Sequence, residues 1–258
     1  MKLAFIADIH GSSIGLDAVL ADIRARHAVE GYWLVGDYCS GGPDPVGVLE
    51  RITKLPNARF IRGNADTRLI NGGQLSPTLE EAKQRPELIP LLVNMHGALS
   101  WVVGAVANQN WLTWVANLPL EQRLRLPDGT KMLMVHASPG HDSGDALYPG
   151  LSDARLAELG AGCDDDLIVV GHTHIPCERR VGKHHWVNPG SVAMPMSGDP
   201  RACYAILNAD KSGYEFTFYR VDYDREAVLA QARERRYPFV QDIEEYFAGI
   251  HKPDRPWY

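Results

Sequence analysis

Seven oxygen and imidazole donors recur along the 258-residue chain in one kind of setting. Asp8 and His10 follow an apolar run at 3–7, Asp37 follows 32–35, and Asn64 follows 59–62. His136 follows 131–135, and His172 and His174 follow 167–170. The set contains no thiolate, so it suits a divalent Mn, Fe, Zn, Co or Ni ion. Seven donors exceed the three or four of a single zinc centre, but suit two adjacent cations if one carboxylate bridges them. Two ions about 3.5–4 Å apart can clamp the attacking and leaving oxygens of a phosphoryl group and ionise a water held between them. Singly, each piece has a plainer reading. Asp8 reads as a helix cap or turn residue, Gly36-Asp37 as a turn, and His136 as a satisfied buried histidine. His172 and His174 alternate and so could face opposite sides of an extended segment. The common placement after apolar runs argues against coincidence.

For such donors to meet, the apolar runs must be strands whose carboxyl ends share one rim of a sheet. Residues 3–7, 32–35 and 59–62 read as strands, and 46–52 as a helix behind a Gly/Pro-rich loop at 36–45. Leu16, Val19, Leu20 and Ile23 recur at helical spacing between the first two strands. This alternation predicts a partly parallel sheet covered by helices. From 78 to 117 no strand pattern occurs, and Trp101, Trp111 and Trp114 fall there. A single domain with a helical cap at about 72–120 is expected. Residues 122–126 and 131–135, joined across Pro127-Asp128-Gly129, predict a hairpin. Further strands are expected at 167–170, 177–181, 184–187, 203–207 and 214–219, with helix from Asp224 onward. Two sheets packed face to face, helices outside, satisfy both halves.

Composition is ordinary for a globular protein, at 45% hydrophobic and 22% charged residues. The net charge of -6 offers no basic footprint for nucleic acid. A phosphorylated substrate would have to be drawn by local positive charge, for which bound metal ions are one source. Cys39, Cys163, Cys177 and Cys203 form no C-x-x-C pair, which predicts reduced thiols and a cytoplasmic location. The N-terminal apolar run is too short for a signal peptide, and no uninterrupted apolar stretch has the length of a membrane span.

The ordered set Asp8-Ile9-His10, Gly36-Asp37, Gly63-Asn64-Ala65-Asp66, His136 and Gly171-His172-Thr173-His174 resembles the calcineurin-like metallophosphoesterases. Val187-Asn188-Pro189-Gly190-Ser191-Val192 and Asp199-Pro200-Arg201-Ala202 are similar to a small bacterial, phosphodiesterase-like branch. The resemblance covers about residues 3–207. It implies an α/β (α+β) fold, a four-layer αββα sandwich of two mixed β-sheets flanked by helices. It also implies two divalent metal ions. Asp8, His10, Asp37 and His174 would hold one; Asp37 would bridge to the second, completed by Asn64, His136 and His172. The implied reaction is in-line attack of a metal-bridging hydroxide on phosphorus, cutting phosphodiester or phosphoanhydride bonds of a small, nucleotide-like substrate. Asn188 and Ser191 would shape the rim, or simply form a turn.

One position departs from the pattern. Many relatives carry histidine after the asparagine of the third motif, where it helps to protonate the leaving group; here the residue is Ala65. A general acid is worth roughly 10²–10⁴-fold, so the chain would need a good leaving group or a substitute. His141, beside Asp142, is the candidate substitute, against a solvated loop histidine. Asp66 keeps only the orientation of a ligand imidazole. Arg62, Arg68 and Arg201 could meet phosphate oxygens, and Arg201 is favoured because it sits in a matched motif. Asn64, His136, His141 and Asp66 are thus the expected catalytic residues, and Asn64 and Arg201 the substrate-binding ones. The competing readings are a broad phosphomonoesterase, a protein phosphatase, and a non-catalytic scaffold. A scaffold should have lost ligand positions, and all seven are intact. The Trp-rich segment at 91–118 suggests a cover or a surface for homo-oligomerisation rather than an open groove.

Overall fold

The computed structural model describes residues 1–73 and 75–249. The first half runs β1 (Lys2–Ile6), α1 (Ser13–Arg26), β2 (Gly31–Leu34), α2 (Pro45–Ile52), β3 (Ala58–Phe60), α3 (Asn64–Asn71), α4 (Leu79–Gln84), α5 (Ile89–Ala107) and α6 (Trp111–Ala116). The second half runs β4 (Glu121–Arg125), β5 (Lys131–Val135), α7 (Asp153–Leu159), β6 (Leu167–Val169), β7 (Cys177–Val181), β8 (His184–Asn188), β9 (Ala202–Asp210), β10 (Gly213–Val221), α8 (Arg225–Glu234) and α9 (Val240–Phe247).

Among the described residues ten strands divide into two five-stranded sheets, ordered β10-β9-β1-β2-β3 and β4-β5-β6-β8-β7. Both are mixed. β1, β2 and β3 are parallel while β9 and β10 join antiparallel. β5, β6 and β8 are parallel while β4 and β7 flank them antiparallel. Side chains sort by parity. Leu3, Phe5 and Ala7 meet Met132, Met134, Leu167, Val169 and Val187 between the sheets. Ala4 and Ile6 turn the other way, toward the helices that cover the first sheet. Leu133, Val135, Ile168 and Val170 pack outward around Leu156 of α7. Burial on both faces explains why these strands read as unbroken apolar runs. The result is the expected four-layer αββα sandwich.

The segment at 79–116 is helical, as the absence of strand pattern implied. Its Ala98, Val102, Val106 and Val115 join the same apolar cluster as Leu16 and Val48. The tryptophans face inward: Trp114 lies on Tyr38 and Phe60, and Trp101 on Tyr237. The exposed apolar residues of the segment are Leu79, Ile89 and Val93 instead. One helix of the segment is apolar overall although no unbroken apolar run spans it. The 22-residue stretch Pro86–Ala107 has a window of mean hydropathy 1.5, apolar and long enough to cross a membrane by length and composition. Asn94, His96 and Ser100 interrupt it, so it contains no unbroken apolar run of that length. Helices α3 and α7 were also not anticipated, since α3 buries only Leu69 among its large apolar residues. The helical tail is present through α9, and residues 250–258 lie outside the described residues.

Candidate metal centre

Five loops, each leaving the carboxyl end of a strand, interlock at one rim. The Asp8 amide donates to Gly36 O at 3.2 Å, and the His10 amide to Asp37 O at 2.9 Å. The Gly171 amide donates to His136 O at 2.9 Å, and the Ala193 amide to Asp8 O at 3.4 Å. Backbone conformation marks the same residues. Asp8, His10, Asp37, His172 and His174 have φ of +53°, +44°, +57°, +69° and +59°. Left-handed backbone at a non-glycine residue costs about 1–3 kcal/mol. It persists here because the surrounding hydrogen bonds over-determine it, and it turns each side chain back into the cluster.

The structure brings all seven donors together. Asp37 Oδ2 lies 3.3 Å from His136 Nε2 and 3.7 Å from His10 Nε2. Asp8 Oδ1 lies 3.3 Å from His174 Nε2 and 3.8 Å from both His10 and His136. Asn64 Oδ1 lies 2.9 Å from His172 Nδ1 and 3.1 Å from His136 Nε2. Asp8, His10, Asp37, Asn64, His136, His172 and His174 are all buried. The donor atoms form two compact groups, Asp8–His10–His174 and Asp8–Asp37–His136, that share Asp8, while Asp37 Oδ2 also lies within 3.7 Å of His10 in the first group.

Two observations test whether this set fits metal ions. His10 Nδ1 donates to Ser40 O at 2.5 Å, and His174 Nδ1 to Met194 O at 2.9 Å. Carbonyls only accept, so both Nε2 atoms present lone pairs, and these stand 3.1 Å apart. Only a proton or a cation makes that approach favourable. His136 Nδ1 likewise donates to Val35 O at 2.6 Å, which frees its Nε2 for the cluster. Second, the Asn64 oxygen, when directed inward, meets only acceptor-type atoms. The donor set therefore fits divalent cations.

The charges agree. Burial opposes ionisation of Asp37, yet His136 and His10 hold its carboxyl well below the usual range. Burial also opposes a charged His136, but Asp37 and Asp8 push it up to about 10. Burial and the neighbouring His136 bring His172 down to about 4. Without metal, protons on imidazoles such as His136 compensate the two carboxylates; cations would take over that role.

The supporting residues have specific tasks. Asp66 accepts from the amides of Asp37 at 2.8 Å, Tyr38 at 3.0 Å and Gly63 at 2.9 Å. It secures the Asp37 loop through its backbone. Among the described residues it contacts no ligand imidazole, which corrects the orienting role read from the sequence. Burial and the Asp37 charge push Asp66 up to about 7. Asn188 Nδ2 donates to Gly171 O at 2.6 Å and Thr173 Oγ1 at 2.9 Å, so it fixes the loop carrying His172 and His174. Ser191 Oγ donates to Asp8 O at 2.8 Å. Tyr38, which sequence reasoning missed, places its hydroxyl 2.6 Å from Ile61 O and 2.9 Å from Leu34 O beneath the rim. Nothing in the sequence but its place beside Asp37 could have flagged it.

The remaining candidates lie differently. His141 is exposed, and its backbone closes a small bridge to Ser138. Its neighbour Asp142 accepts from Thr67 Oγ1 of α3, which ties that loop to the helix bearing Asn64. Arg201 is bound by Asp199, with Nη2–Oδ2 at 2.6 Å. It borders a surface hollow with Pro176, Phe218 and Arg220, none of them a cluster residue. Arg62 stands 4.0 Å from Asp142, its Nε buried without a hydrogen bond. Arg68 lies against Asn64.

Two mixed sheets with buried Asp, His and Asn donors at their strand ends define a metallophosphoesterase class of hydrolase. The Calcineurin-like phosphoesterase superfamily domain matches residues 1–212, and the chain belongs to that family. It is 25% identical over 219 residues to the phosphodiesterase YfcE of Escherichia coli strain K12, covering 81% of this chain and 89% of that one. It is 23% identical over 241 residues to a symmetrical bis(5'-nucleosyl)-tetraphosphatase of Hamiltonella defensa, covering 93% of this chain and 76% of that one. Among solved structures, a metallophosphoesterase from Sphaerobacter thermophilus aligns with a TM-score of 0.73 at 26% identity, over 97% of this chain and 99% of that one.

Proposed function

We propose that the protein hydrolyses phosphodiester or phosphoanhydride bonds of small nucleotide-type substrates, using two divalent ions among Mn, Fe, Zn, Co and Ni. The observation that carries this reading is the position of Asp37 Oδ2, within 3.7 Å of His10 and 3.3 Å of His136, between the two donor groups. Asp8, His10, Asp37 and His174 would hold one ion, and Asp37, Asn64, His136 and His172 the other. When bound, the ions supply Lewis acidity and an activated water. The chain's own residues do the rest. The carbonyls of Val35, Ser40 and Met194 fix three imidazole rings, so the rim is organised before substrate arrives. Ala65 offers no proton to a leaving group, which favours substrates that leave as stable anions, as a nucleoside phosphate does. The printed activities of the phosphodiesterase and tetraphosphatase relatives point the same way. Four free cysteines, three of them buried, support a reducing, cytoplasmic setting.

The test is a hydrolysis panel on protein reconstituted with each metal: aryl monoesters, bis-aryl diesters, cyclic nucleotides and dinucleoside polyphosphates. Turnover of diesters or dinucleoside polyphosphates above monoesters is expected. Preference for alkyl monoesters would overturn the reading.

A further inference from the structure

We propose that Arg68 is a substrate-binding residue, one that grips a phosphoryl oxygen and is released to do so when Asn64 turns its oxygen toward a metal ion. This rests on the phosphoester hydrolysis proposed above. Arg68 lies one turn after Asn64 on α3. The Asn64 carboxamide has two orientations related by exchange of oxygen and nitrogen. With nitrogen inward, it stands 2.9 Å from His172 Nδ1, 3.1 Å from His136 Nε2 and 3.2 Å from Asp37 Oδ2, and its two N–H groups can serve His172 and Asp37. Its oxygen then accepts from Arg68 Nη2 at 3.0 Å and Nη1 at 3.1 Å. That arrangement gives the Arg68 guanidinium an acceptor in the metal-free protein.

With oxygen inward, as a metal ligand, the situation at Arg68 reverses. The carboxamide nitrogen now stands where the oxygen stood, 3.0–3.1 Å from the two guanidinium nitrogens. Donor faces donor, and no carboxylate lies within ion-pair reach of Arg68 among the described residues. The side chain is half-buried, so water cannot wholly compensate. An N–H of Asn64 and the N–H groups of Arg68 then stand side by side without an acceptor between them, and an anion with several acceptor oxygens would satisfy both. A phosphoryl group beside the metal pair has that chemistry. Arginine remains charged throughout, so it cannot replace a proton donor at position 65. It can stabilise negative charge on a phosphoryl oxygen, which suits a site with Ala65 and a phosphate-type leaving group. By contrast Arg201, favoured from sequence, already has Asp199 as its partner.

The experiment measures equilibrium binding of inorganic phosphate by calorimetry, with metal content from elemental analysis, for wild type, Arg68→Gln and Arg68→Lys. Both metal-loaded and metal-free forms are titrated. In loaded protein, Arg68→Gln should weaken phosphate binding by about ten- to a hundred-fold with metal content unchanged, the size of a charged hydrogen-bond pair. Arg68→Lys should recover part of the affinity, because it restores charge without the fork. In metal-free protein the substitution should change phosphate affinity less than three-fold or so, because Asn64 already occupies the guanidinium. Equal phosphate affinity of loaded wild type and Arg68→Gln would overturn the proposal, as would loss of metal in Arg68→Gln, which would reduce Arg68 to a structural support. The hydrolysis panel is read separately on wild type. Failure there removes the phosphoesterase reading, whereas the calorimetric difference judges Arg68.

Discussion

Replacing Gly63 by alanine tests whether the metal centre depends on the exact approach of one backbone atom to one carboxylate. Gly63 has φ -99° and ψ -178°, a conformation any residue adopts, so backbone strain plays no part. Space does. A Cβ on Gly63 would sit 2.1 Å from Asp37 Oδ1, 2.7 Å from its carboxyl carbon and 2.8 Å from its backbone nitrogen. Ordinary contact begins near 3.4 Å, so Oδ1 must retreat by about 1.3 Å. The backbone nitrogen, at 2.8 Å, is also closer than ordinary contact, so moving the carboxylate alone does not relieve the clash. Retreat breaks the 2.8 Å bond from the Ala65 amide to Oδ1. A hydrogen bond to a charged group is worth about 1.5–3 kcal/mol. It also moves Oδ2 from its place between His10 and His136. Substitutions that disturb only the support of a ligand cost about 10–100-fold in metal affinity, and this one displaces the ligand itself. Equilibrium dialysis with elemental analysis should therefore find two ions per chain in wild type and at most one in Gly63→Ala. Urea unfolding of the metal-free proteins should show a loss of about 1.5–3 kcal/mol. If Gly63→Ala binds two ions with wild-type affinity, the position of Asp37 does not govern occupancy and the bridging assignment fails.

Three further perturbations address other parts of the site. Ala65→His should raise turnover on alkyl phosphates by about a hundred-fold while changing aryl phosphates little, the lower end of general-acid catalysis; equal effects on both would refute the missing-acid argument. Asn188→Ala strips the donors from Gly171 O and Thr173 Oγ1 and the acceptor from the Gly190 amide. It should cost about 2–4 kcal/mol in urea unfolding and weaken metal binding through the His172 and His174 loop; an unfolding free energy equal to wild type would show that this tie is dispensable. His141→Ala should slow hydrolysis of poor leaving groups with metal content intact, and an unaltered pH–rate profile would remove it as the acid.

The exposed His141 and the tethered Asp142 show how the loop after His136 is built. Thr67 holds Asp142 from α3, while the bridge between Ser138 and His141 leaves the imidazole unhindered. The helices at 79–116 reach the site indirectly: Trp114 packs on Tyr38, whose hydroxyl braces Leu34 O and Ile61 O just before the Asp37 and Asn64 loops.

The sequence by itself determined the donor types, their placement after apolar runs and the two-sheet architecture. Donor chemistry is a property of side-chain identity, and strands buried on both faces betray themselves as short apolar runs such as residues 3–7 and 167–170. The left-handed backbone at Asp8, His10, Asp37, His172 and His174 carried no such signal, because none of them is glycine. Only tertiary structure decided which imidazole nitrogen faces inward, since the carbonyls of Val35, Ser40 and Met194 that choose it exist in every residue type. It alone turned Asp66 onto three amides and set Arg68 rather than Arg201 beside Asn64. A motif fixes which residues are near each other along the chain; the packing of five separate loops fixes which atoms are left to bind a cation or a phosphate.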